Sequence, residues 1–244
     1  MKVLATSPFE HSGDKTIVTK LIGWSFVTMF LLGIFAEFVV RTRLIIWHDP
    51  VLTYTTIQQS LPLFTSGIFA FIFIILLDML LSIAFYVLLH SQSKPVALLM
   101  ASLRLVYVAI KGFAIVGLFL AKDIYSSSMH TNRDQIHLAA NQAMQFLKLH
   151  QYGFAVGLIF FGLHLMFLAR LLFTIPVIPK VLSWLLLLAG IGYSLNSLVS
   201  LFATNLELLK NSIIAIFILP MTLAELLVGL YLWLKAKKVI LLLK

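Results

Sequence analysis

Apolar residues run along this chain in six helix-length blocks, at about 21–40, 63–90, 95–121, 151–174, 181–203 and 212–234, separated by short polar stretches. Each block is long enough to cross a hydrocarbon core of about 30 Å at about 1.5 Å of rise per residue, so the pattern predicts six membrane-spanning helices. Breakers punctuate the blocks. His48-Asp49-Pro50 reads as a turn, and residues 53–60 ahead of Pro62 as a short interfacial helix. Residues 91–94 form a tight turn, and Pro95 suits the first turn of the third span. Pro176 and Pro179 stiffen the link 175–180, and residues 204–211 make a turn. After Lys122 and Asp123, Ile136, Ala140, Ala143 and Leu147 recur at helical spacing among Arg133, Asp134, Gln142, Gln145 and Lys148. That periodicity predicts an amphipathic helix in the loop between spans 3 and 4, on the outer surface or packed over the mouth of the bundle. The expectation is an all-α polytopic bundle: a cytoplasmic tail over 1–20, one transmembrane domain over 21–235, and a basic-apolar tail over 236–244 along the inner leaflet.

Composition agrees with the pattern. Of 244 residues, 61% are hydrophobic and 11% charged, and the mean hydropathy is +1.04. Soluble domains carry about 25% charged residues, so this chain has too little polar surface to cover itself in water. A formal net charge of +9 raises the question of nucleic acid, but the basic residues are scattered at helix ends and form no groove-filling basic helix. They read instead as a rim facing lipid headgroups. Six spans put both termini on one side. Ten Lys and Arg fall on that side (Lys2, Lys15, Lys20, Lys94, Arg170, Lys180, Lys235, Lys237, Lys238, Lys244) and six on the other (Arg41, Arg43, Lys122, Arg133, Lys148, Lys210), which predicts cytoplasmic termini. The first apolar run follows about 20 polar residues and lacks an A-x-A pattern, so it reads as an uncleaved span. The absence of cysteine excludes disulfides and thiolate chemistry.

The charged residues inside the spans change the picture most. Arg104 and Lys111 lie seven residues apart on one side of the third span, and the cost of burying one such cation starts near ~3 kcal/mol. They therefore demand acidic partners or water within the bundle. Counted from the cytoplasmic helix ends, Asp78, Arg104, His164 and Glu225 fall roughly 13 to 18 Å into the bilayer, and Glu37, Lys111 and Asn196 roughly 24 Å. Asp78 or Glu225 is expected to pair with Arg104, and Glu37 with Lys111. One carboxyl is then left over, protonated or sharing a proton with His164. These seven residues are the candidate ligand- or proton-binding set. The alternative, that buried ion pairs only fix helix register, stays open. Trp24, Trp47, Trp184 and Trp233 near span ends fit an interfacial belt.

No H-E-x-x-H, G-x-S-x-G, Walker loop or Gly-rich dinucleotide turn occurs. Among seven histidines only His130 and His137 share a helical face, a sparse metal signal, and no cofactor is indicated. The ordered segments GIFAEFVVR, LLDML, YVLLHSQSKPVALLMASLRLVYV, LHQYGFAVGLIFFGL, IPKVLSWLLLLAGIGYSLNSL and LPMTLAELLVGLYLWL resemble a family of bacterial six-helix integral membrane proteins known only as a domain of unknown function. In that resemblance Glu37, Asp78, Arg104, His150, Tyr152, Gly153, Pro179 and Glu225 match the family's residue types. Asn196 departs from a frequent aspartate, and Lys111 and His164 are peculiar to this chain. The resemblance implies no activity and places the protein in the bacterial cytoplasmic membrane. The residues themselves leave three functions open: binding or transport of a small amphipathic or cationic molecule, proton-linked or not; a membrane-embedded enzyme acting on a lipid or isoprenoid; and a non-catalytic partner, sensor or immunity subunit.

Overall fold

The computed structural model describes residues 12–127, 132–203 and 206–241; the start of the expected N-terminal tail, His130 and residues 242–244 lie outside them. The chain runs through α1 (Ser12–Ile34), a π-helical segment (Phe35–Arg41), α2 (Thr42–Leu44), α3 (Pro50–Gln59), α4 (Leu61–Leu89), α5 (Lys94–Ser126), α6 (Arg133–Phe173), α7 (Lys180–Phe202) and α8 (Glu207–Leu241). Six of these helices, counting α1 with its continuation to Leu44, are long and apolar enough to cross a membrane. The all-α bundle of six candidate spans is the fold the hydropathy pattern predicts.

Local chemistry explains the breaks. Asp49 caps α3 by accepting from the Leu52 N–H at 2.9 Å, with Pro50 in the first turn, and Asn132 caps α6 through the Gln135 N–H in the same way. The helices overrun the apolar blocks. The amphipathic stretch is helical, yet it continues without interruption into the fourth span as the 41-residue α6. Its apolar stripe, including Ala139, Ala140, Ala143 and Leu147, is buried in a core shared with α5 and Tyr54 and Ile57 of α3. Helix α8 likewise starts at Glu207 and passes Lys235, where φ −113° and ψ 19° mark a kink, before burying Ala236, Val239 and Ile240. Backbone hydrogen bonding continues wherever side chains keep a packed face, so helix ends need not coincide with the ends of the apolar run.

The six spans form a ring in chain order: α1 packs on α4, α4 on α5, α5 on α6, α6 on α7, α7 on α8, and α8 closes on α1. Close approaches occur where glycine omits a side chain. A Cβ on Gly23 would stand 2.5 Å from the Trp233 Cβ, one on Gly229 2.6 Å from that of Phe26, and one on Gly162 2.5 Å from the Gly190 carbonyl oxygen. Gly153 and Gly157, at GxxxG spacing, rest against Ala114 and Tyr107 of α5. Two hydrophobic clusters fill the ring, one around Phe85, Met100 and Leu165 towards the termini, the other around Tyr54, Phe64 and Leu147 at the opposite end. Many large apolar side chains point outward, such as Phe69, Phe113 and Leu219, each more than two-thirds exposed to the lipid that a spanning bundle meets. Trp24 and Trp233 pack together with their rings tilted by 49° and their centroids 5.3 Å apart.

Candidate functional site

A polar layer separates the two cores, and Arg104 is its hub. Its side chain is wholly buried. Nε and Nη2 donate to Asp78 Oδ1 at 3.1 and 2.6 Å, and Nη1 donates to Glu225 Oε1 at 3.1 Å. Nη1 also lies 3.0 Å from His164 Nε2. His164 Nδ1 lies 2.9 Å from the Met100 carbonyl oxygen. A carbonyl can only accept, so Nδ1 carries the proton and bare Nε2 accepts from the guanidinium. Phe26 and Phe161 cover the guanidinium at 5.6 and 5.4 Å. One arginine on α5 thus gathers side chains from α1, α4, α6 and α8. The planar fork of five donors suits that task, which a lysine could not perform.

Lys111, one turn beyond Tyr107 on the same face, donates to the Tyr107 hydroxyl at 2.7 Å and stands 3.9 Å from Asp78 Oδ2. The expected Glu37–Lys111 pair does not form. Glu37 instead accepts from Arg41 Nη1 at 3.2 and 3.0 Å, one turn along its own segment. The reason is the ring: α1 packs on α4 and α8, and α5 lies beyond α4. Rise per residue fixes the height of a side chain along its helix and not its bearing around the ring. Nor is a carboxyl left without a cation, because Arg104 serves Asp78 and Glu225 together; Asp78 Oδ2 makes no hydrogen bond, and Lys111 Nζ stands 3.9 Å from it.

The seven candidate residues therefore divide. Asp78, Arg104, Lys111 and His164 are sealed, each at most 4% exposed. Glu225, Glu37 and Asn196 line a cleft of about 460 Å³ between α1 with its π-helical extension, α7 and α8. Gly23 and Gly229 clamp α1 to α8 at the end nearer the termini, and the cleft lies beyond the clamp, from Phe26 to Phe38 on one wall and Ile214 to Leu226 on the other. Glu225 has 22% of its side chain exposed and Glu37 37%. The Asn196 Oδ1 atom is buried without a hydrogen-bond partner. Tyr193 holds its wall by donating to the Met221 carbonyl at 2.7 Å, near Pro220, whose missing N–H removes one rung of the α8 ladder. Glu37 sits in the π-helical stretch, where the Thr42 hydroxyl donates to the Glu37 carbonyl at 2.8 Å. Such segments re-aim side chains and recur at functional sites.

Three participants escaped the seven-residue set. Tyr107 stands on the face shared by Arg104 and Lys111, and Arg41 follows Glu37 by four residues, so helical spacing could have found both. His150, which the family resemblance includes, is 3% exposed with Nε2 unpartnered. It borders a second cavity of only about 20 Å³, also lined by Arg41 and Trp47, which has room for one water. Among the described residues no group of three or more His, Asp or Glu side chains is placed to hold a metal ion.

An uncharacterised protein of Archaeoglobus fulgidus is 30% identical over 125 residues, covering 51% of this chain and 61% of the archaeal one, so the match spans about three fifths of that relative's length. No solved structure matches the chain. The family described as Domain of unknown function (DUF4386) matches residues 21–236; the chain belongs to it, and it is a multi-pass membrane protein.

Proposed function

We propose that the protein binds, and through the same cleft transports, a small amphipathic cation, using Glu225 as the deep anion and Asp78, Arg104, Lys111 and His164 as the support that holds it. The observation that carries this reading is the lining of the cleft: two carboxylates, an unpartnered amide oxygen and no basic side chain, set among Phe26, Phe30, Phe38 and Tyr193. Aromatic faces and carboxylates favour a cation, and apolar walls favour one with hydrocarbon attached. The mouth is flanked by Ile34, Phe38 and Ile218, exposed at 41, 68 and 50%, so an amphipath can enter sideways from the bilayer. Termini in the bacterial cytoplasm belong to the same reading.

The alternative of an enzyme acting on a lipid or isoprenoid is weaker. Both ring nitrogens of His164 are engaged and the ring is shielded, which leaves Glu225 without an assisting base. The test is saturable binding of tetraphenylphosphonium to protein in lipid nanodiscs. Glu225→Gln is expected to lower affinity about tenfold or more. Gly33→Leu tests the space, because a Cβ on Gly33 meets nothing within 4 Å and the larger side chain occupies part of the cleft that Gly33 lines. Its expected outcome is lost binding with an unchanged melting temperature. Binding no greater than to empty nanodiscs, or unaltered by both variants, would overturn the proposal.

A further inference from the structure

The two cleft carboxylates stand at different heights, and the helix packing gives their separation. Gly23 abuts Gly229 and Trp233 across the antiparallel α1–α8 pair, and Gly229 abuts Phe26. This register sets Glu225 level with residue 30, seven residues short of Glu37, an axial distance of about 10 Å. On the third wall, Gly192 abuts Phe217 and Met221, so Asn196, one turn further along α7, lies near residue 217 of α8 and hence at the height of Glu37. The cleft thus has a deep station at Glu225 and an outer station at the height where Glu37 and Asn196, whose buried Oδ1 has no hydrogen-bond partner, both line it. Between them the walls are apolar and aromatic, with Phe30, Tyr193 and Met221.

We infer that the cleft takes a linear dication, an alkyl diammonium or polyamine with terminal ammonium groups about 10 Å apart, one at Glu225 and the other between Glu37 and Asn196. The inference rests on the cation-binding reading above and adds the second station. Three N–H donors on each ammonium can be met at the outer station by a carboxylate and an amide oxygen, while the methylene chain lies along the aromatic wall. The present partner of Glu37, Arg41, is held in a half-exposed pair one helical turn away. Pairs of that kind are weak, so an incoming ammonium can replace the guanidinium.

The experiment is a binding series on the full chain in nanodiscs: alkane diamines from butane to dodecane, each beside the monoamine of equal length. Affinity is expected to peak near the octane diamine and there exceed octylamine about tenfold, the effect of one added charge-assisted contact. Glu37→Gln should reduce the diamine to the level of the monoamine and leave the monoamine unchanged. Asn196→Asp, which adds a carboxylate at the same height, should tighten the diamine. Equal affinity of diamine and monoamine at every length, or an equal effect of Glu37→Gln on both, would overturn the second station while leaving the single-cation reading standing. Failure of the amines and of tetraphenylphosphonium to bind the wild type would end both.

Discussion

At the scale of the residue, burial makes Arg104 the most consequential side chain in the protein. Asp78 is 0% exposed and its Oδ1 receives two of the guanidinium's donors. Arg104→Met therefore leaves a sealed carboxylate with Lys111 at 3.9 Å as its nearest cation. Removing one partner of a buried pair costs about 3–5 kcal/mol, so the variant is expected to melt well below the wild type in detergent micelles. Asp78→Asn added to Arg104→Met should restore the greater part of that loss, because the uncompensated charge is gone. If the double variant is no more stable than the single one, the ion pair is not what ties these helices together.

Contacts between elements depend on where side chains are missing. Helices α6 and α7 cross at Gly162 and Gly190, where each Cβ would stand 2.5 Å from the other's carbonyl oxygen. Gly162→Ala must push the helices apart and is expected to cost about 1–3 kcal/mol. Gly112 on α5 has nothing within 4 Å of its Cβ position. Gly112→Ala should stabilise by about 0.5–1 kcal/mol, since it only removes backbone freedom from the unfolded chain. Melting curves of the two variants check both signs. The same logic explains the cleft: α1 and α8 close where small residues allow it, and beyond that clamp the cleft opens between walls that carry Phe30, Phe38 and Ile218.

For the whole molecule, a ring of six helices in chain order brings first and last together and leaves a centre to be filled. Polar side chains from α4, α5, α6 and α8 fill it in one layer, with hydrophobic clusters above and below. Orientation is a prediction at this scale. The chain has no cysteine, so single substitutions can be labelled without background. Lys94→Cys at the start of α5 should resist a membrane-impermeant maleimide in intact cells and react after permeabilisation, while exposed Asp123→Cys near the other end of α5 should react from outside. The opposite labelling would invert the topology and put the cleft on the cytoplasmic half.

Apolar block length determined the six helices, because a bilayer leaves backbone groups no partner except those within a helix. Charge cost likewise determined that Arg104 and Lys111 turn inward, and rise per residue placed Asp78, His164 and Glu225 at the depth of Arg104; that all three meet its guanidinium was decided by the packing. Bearing around the bundle was not readable in this way. Only the order of helices in the ring decided that Glu37 takes Arg41, that Lys111 leans on Tyr107 and Asp78, and that Glu225 opens into a cleft with Glu37 and Asn196 while Asp78 is sealed. A one-dimensional pattern carries the distance along a helix axis. Which neighbour a face meets is set by the packing of all six.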